Sequence, residues 1–187
     1  MNKLEQEVIK RNISNEDIAT IISNNRDLVS RRIISGMASV DTVDREGQRI
    51  PIFALKEAVD NFMQNTYYRP VQIFHSDITV GRVVPKWTNP KTGEIHKTEI
   101  VDSGWRIVAE LRDDLEIANK TWEEIVKGNL RSFSIAGSSN EKLQKQENGV
   151  NYEQIKSLAI AEISVCEIPV NPLAKFEILW DPNRVEI

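Results

Sequence analysis

The residues predict an α+β domain, and three observations carry that prediction. Short strand-like stretches recur along the chain, at 33–40, 71–84, 104–111 and 176–180, and 130–135 shows the two-residue alternation of a pleated strand. Two segments between them, 51–65 and 115–126, instead space their apolar residues by three and four, as a helix does. Third, 187 residues with 40% hydrophobic and 28% charged side chains suffice for one well-packed core.

The same composition narrows the function. A formal charge of −4, from 24 basic and 28 acidic residues, is too small and of the wrong sign for a nucleic-acid partner. Cys166 is the single cysteine, which excludes an internal disulfide framework and suits a reducing compartment. No apolar run is long enough to span a bilayer, and no signal-peptide core follows Met1. A soluble, cytoplasmic protein without a membrane partner is expected.

Taken in order, residues 1–32 read as an N-terminal helical arm and 33–187 as the main domain. Within the arm, Ser14 begins a capping pattern with Asp17 three positions on, and Ile18, Ile21, Ile22 and Leu28 form a modest apolar stripe. The first strand follows at 33–40. The loop from Asp41 to Gly47 is rich in aspartate, but its spacing is not that of a calcium loop, and turn formation explains it better. The helix at 51–65 is expected to bury Phe53, Leu55, Val59, Phe62 and Met63. Pro70 breaks it, and a strand, a short turn and a second strand run from Val71 to Val84, with His75 on the first. His96, the other histidine, follows Asn89–Gly93, a turn composition, and is placed on an exposed loop flank. After the strand at 104–111, Asp113 or Asp114 is expected to cap the next helix, and Gly128 to end it in the left-handed conformation. Residues 138–151 are polar and read as a mobile loop; 155–168 is the most apolar run, closed by Pro169–Pro172.

Two positions stand out chemically. Ser134 lies on the short strand 130–135, followed by Ala136 and Gly137, which leave room for a ligand, and is a candidate nucleophile; Ser132 shares its face. Glu162 lies in the apolar run, on a face shared with Leu158, Ile160, Ser164, Cys166 and Ile168. A buried carboxylate needs a partner. An arginine such as Arg82 or Arg131 would make Glu162 structural, whereas His75 would make it the acid that orients a catalytic base.

In this order, "FHSDITVGRVV", "LRSFSIAG" and "LAIAEISVCEIPVNPLA" resemble the prohead maturation protease family of tailed phages, related to the herpesvirus capsid maturation protease, assemblin. The resemblance runs from about Ser35 to Leu179, and "VDTVDREGQRI" before a helix is similar to the family's opening. It implies a small, mostly antiparallel β-barrel flanked by helices. It also implies a serine endopeptidase with Ser134 as nucleophile, His75 as general base and Glu162 as third member, and no cofactor or metal. The herpesvirus branch has a second histidine at the third position, Glu167 lies close to Glu162 in the chain, and no arginine pair of the assemblin kind is evident. By the same resemblance the substrates are scaffold protein and segments of the major capsid protein, cut inside the immature capsid in the bacterial cytoplasm. Self-cleavage, and a homodimer or higher oligomer, also follow from it. Two other classes compete with this reading: a non-catalytic capsid-assembly module that keeps the fold, and a metal-dependent hydrolase using His75, Asp77, His96 and Asp102. The second lacks any H-E-x-x-H or cysteine cluster.

Overall fold

The computed structural model of the chain describes residues 31–66 and 68–184, so residues 1–30 of the expected arm lie outside the description. Eleven strands and two α-helices follow in chain order among these residues. They are β1 (Arg32–Val40), β2 (Gln48–Arg49), α1 (Ile52–Gln64), β3 (Pro70–Ile73), β4 (Thr79–Val84), β5 (Lys86–Thr88), β6 (Ile95–Lys97), β7 (Glu99–Val101) and β8 (Gly104–Leu111). Then come α2 (Glu116–Val126), β9 (Ser132–Glu147), β10 (Val150–Cys166) and β11 (Phe176–Trp180).

Nine strands form one sheet in the order β11-β1-β8-β4-β3-β10-β2, with β7 added to β8 and β9 added to β10; β5 and β6 make a separate hairpin. Pairing is antiparallel except where β10 meets β2 and β3. The sheet curls on itself. Its far strand β9 returns to the segment leading into β11, where Ser132 bridges Lys175, the Phe133 N–H donates to the Ala174 carbonyl and the Phe176 N–H to the Arg131 carbonyl. The expected barrel with flanking helices is therefore realised as a curled, half-closed one, and bonding across its seam satisfies backbone groups that an open edge would expose.

Helix α1 explains its own burial. Leu55, Val59 and Phe62 recur at helical spacing and enter the core, where Phe62 meets Trp105 edge-on at 5.7 Å. Phe53, expected inside, sits two residues before Leu55 and so points away, 57% exposed. The other helix, α2, adds Ala118, Trp122 and Ile125, and the strands add Ile34, Val71, Trp105, Ile107, Phe133, Ile163 and Val165.

The Asp113 or Asp114 cap does not form. Leu115 stands at the α2 N-cap without a side-chain bond, because Asp114 is held by Arg112 in two 2.7 Å hydrogen bonds. At the other end Gly128 has φ 80°, as anticipated. His96 is in β6 rather than on a loop flank, half-buried with its ring 5.8 Å from that of Trp87. The expected mobile loop at 138–151 is the outer part of a long hairpin. β9 and β10 stay paired to Glu147 and Val150, and Asn148 and Gly149 turn the chain with φ 50° and 81°. Asn-Gly is the residue pair that a two-residue hairpin turn of matching twist requires.

Candidate active site

The β9–β10 register places the first members of the site. Ser134 pairs with Ser164, and directly opposed residues share a face, so the Ser134, Ser164 and Glu162 side chains lie on one side and Phe133, Ile163 and Val165 on the core side. The alternation breaks between Ile160 and Glu162, where Ala161 is an inserted residue, a β-bulge. This corrects the expected face: Leu158 and Ile160 pack against the core, whereas Glu162 turns away from it although buried, with only 6% exposure. One extra residue flips the face, as any one-residue slip must.

His75 is not on a strand. It lies in the turn after β3, where Phe74, His75 and Asp77 take φ values of 52°, 54° and 59°. Left-handed backbone costs a non-glycine residue about 1–2 kcal/mol, and it persists only where surroundings impose it. Here they do. The Phe74 N–H donates to the Val165 carbonyl at 3.3 Å, the His75 N–H to Ser164 Oγ at 2.8 Å, the Ser76 N–H to the Ile73 carbonyl at 3.1 Å and the Asp77 N–H to Gln72 Oε1 at 3.2 Å. Because β3 runs parallel to β10, with Gln72 beside Ser164, the turn is delivered over the face that carries Glu162.

There His75 Nδ1 is hydrogen-bonded to Glu162 Oε1, and Ser164 Oγ donates to Glu162 Oε2 at 3.0 Å. The arginine alternative does not form: Arg82 pairs with Glu110 at 3.0 Å. The His75 ring is 40% exposed and lines, together with Ser134, a cleft of about 400 Å³ whose walls also include Ala136, Gly137, Leu158 and Asn171. Ser132 is buried beside the Lys175 bridge and does not line this cleft. Glu167 faces a separate groove with Phe74 and α2. Among the described residues no three His, Cys, Asp or Glu side chains converge, so His75, Asp77, His96 and Asp102 do not form a metal cluster. Ser164 was legible only as a neighbour of Glu162. The Glu-x-Ser spacing gives the shared face, but the hydrogen bonds depend on where the β3 turn lands.

Cys166 occupies the same face two residues beyond Ser164. Burial, with a smaller contribution from the charge of Glu162, pushes its thiol from 9.0 up to about 11. The thiolate is the reactive form, and a thiol raised to about 11 holds ~100-fold less of it near pH 8. Alkylation of Cys166 by iodoacetamide at pH 8 is therefore expected to be at least ~100-fold slower in folded protein than in denaturant. Equal rates, read by intact mass, would contradict this environment.

The chain's relatives bear on this geometry. Residues 17–144 match the sequence model of the family described as "Putative phage serine protease XkdF", a stretch that includes His75 and Ser134 and ends before Glu162. No curated protein matches in sequence. Among solved structures, the KSHV protease in complex with a hexapeptide phosphonate inhibitor superposes with a TM-score of 0.51 at 13% identity, over 81% of this chain and 66% of that one. The varicella-zoster virus protease gives a TM-score of 0.42 at 12% identity, over 79% of this chain and 64% of that one. This chain thus spans just under two thirds of either viral protease, and at such identity the likeness to the first is one of fold. With 128 of 187 residues inside the match, the chain belongs to the XkdF family of phage serine proteases.

Proposed function

We propose that the chain is a serine endopeptidase of phage capsid maturation, with Ser134 as nucleophile, His75 as general base and Glu162 as the acid that orients it. One observation carries the reading: the imidazole whose Nδ1 meets the buried Glu162 carboxylate opens onto the same cleft as Ser134. An ionised Glu162 accepts the Nδ1 proton and leaves the Nε2 lone pair free. Ser134 Oγ attacks the carbonyl carbon of the scissile bond as Nε2 removes its proton; the tetrahedral oxyanion collapses, and Nε2 protonates the departing amine. Water then enters, loses its proton to Nε2 and attacks the acyl-serine ester. The acid and the regenerated serine are released. Glu162 stays ionised throughout and stabilises the transient imidazolium.

The family's phage origin and the sequence resemblance support scaffold protein and capsid-protein segments as substrates, cut inside the immature capsid in the host cytoplasm. They support self-cleavage and self-association in the same way. Purified chain treated with a fluorophosphonate is expected to gain one adduct, at Ser134. Incubated with the phage's own capsid and scaffold proteins, it is expected to create new N-termini, read by mass spectrometry. Neither adduct nor cleavage, in protein shown to be folded, would favour the non-catalytic assembly module.

A further inference from the structure

We infer that Ser164 is a positioning residue of this site, which locks the backbone of His75 and the carboxylate of Glu162 together through its one hydroxyl. The inference rests on the roles proposed above for His75 and Glu162. Ser164 is fully buried, at 0% exposure. Its Oγ receives the His75 backbone N–H at 2.8 Å and faces Glu162 Oε2 at 3.0 Å. A backbone N–H can only donate, so the serine oxygen must accept there. Its single hydrogen is then committed to the carboxylate. The direction of both bonds is fixed without reference to solvent.

The result is a closed circuit. From the His75 main chain it passes through Ser164 Oγ to one oxygen of Glu162, and from the other oxygen back to Nδ1 of the same His75. A carboxylate left to itself turns broadly about its terminal torsion. Held at both oxygens, it presents Oε1 to the ring in one orientation. Held at both its main chain and its ring, His75 keeps a left-handed turn, φ 54°, that its side chain alone would not impose. Ser164 also serves as no rival nucleophile, since its hydrogen is spent on Glu162 and it does not line the cleft. Removing the hydroxyl would leave a buried carboxylate oxygen short of a partner and the His75 N–H without its protein acceptor, at the two points that aim the base.

The test compares Ser164→Ala, Ser164→Thr and Ser164→Val in the full chain. Thr and Val have nearly the same shape and differ by the hydroxyl, so the pair isolates it even if Ala leaves a damaging cavity. Two readouts are taken. One is kcat and KM on a peptide spanning a mapped cut site. The other, independent of activity, is the downfield ¹H resonance of the His75 Nδ1 proton, assigned against His96→Gln. Ala and Val are expected to lower kcat by ~10- to 100-fold with KM little changed, and to broaden the Nδ1 proton into exchange with water. Thr is expected to restore both. Val matching Thr in both readouts would overturn the inference while leaving the protease reading intact. If the wild type cleaves nothing and takes no fluorophosphonate, yet Ala and Val lose the resonance that Thr keeps, the Ser164 link stands and the protease reading falls.

Discussion

Replacing Ser134 with alanine is expected to lower the cleavage rate by ~10⁴-fold or more while the thermal unfolding transition stays in place. The chemical half of this follows from the weakness of any substitute: without the hydroxyl the base has nothing to activate but water. The stability half follows from the wiring around it. The His75 turn, Ser164 and Glu162 satisfy one another, and Ser134 is not needed to complete their hydrogen bonds. Deleting one oxygen at the cleft wall should change stability by less than about 1 kcal/mol. Differential scanning calorimetry and turnover, measured on one preparation, check both halves. Wild-type turnover in the alanine variant would remove Ser134 from the mechanism, and Ser132 would be tested next.

Glu162→Gln is expected to lower turnover by ~10²- to 10⁴-fold, on the scale of triad-acid substitutions, again with near-native stability. Glutamine keeps an oxygen for the Nδ1 proton but removes the charge that stabilises the imidazolium. Ser164 Oγ has a second lone pair with which to accept from the new amide, so the contact is kept and the one group that loses its partner is the Ser164 hydroxyl hydrogen. The loss in stability should then stay under about 2 kcal/mol. Had an arginine been the partner, the same change would have stranded a cation at a cost of about 3–5 kcal/mol. Melting and turnover therefore separate orientation of the base from simple structural support. A glutamine variant normal in both would exclude Glu162 from either role and bring Asp77 forward.

Legibility in the sequence followed the range of the interactions involved. Strands such as β1, β8 and β11 are readable because each is a short apolar-rich run bounded by polar or turn residues, a local signal, and α1 because its apolar residues keep a helical period. The curled sheet was not readable from periodicity, since its closure depends on Ser132 meeting Lys175 across 43 positions. Residues 138–151 read as a loop because an exposed hairpin arm is polar on both faces and so shows no alternation, although Asn148-Gly149 marks its turn. At the candidate site, His75, Ser134 and Glu162 can be picked out as candidates from the motifs. The left-handed turn that aims His75, the bulge that turns Glu162 and the part taken by Ser164 cannot, because each depends on strand register.

On the proposed mechanism, the β9–β10 hairpin bears on when the chain becomes able to cut. Ser134, Glu162 and Ser164 all belong to that one hairpin, which zips outward from or inward to a local turn. The base arrives from a segment 87 positions earlier in the chain than Glu162, through the short parallel pairing of β3 with β10. Hairpins form in about 1–10 μs, whereas non-local and parallel pairings are slow because the intervening chain must first be closed into a loop. On that mechanism, a chain with β9–β10 zipped but β3 not yet paired holds Ser134 and Glu162 without His75, and is expected to be inert. In refolding from denaturant, recovery of fluorophosphonate reactivity is expected to lag the β signal in circular dichroism; simultaneous recovery would contradict this order. Catalytic competence, on the proposed mechanism, is a timer set by topology, because it waits on one long-range pairing, that of β3 with β10.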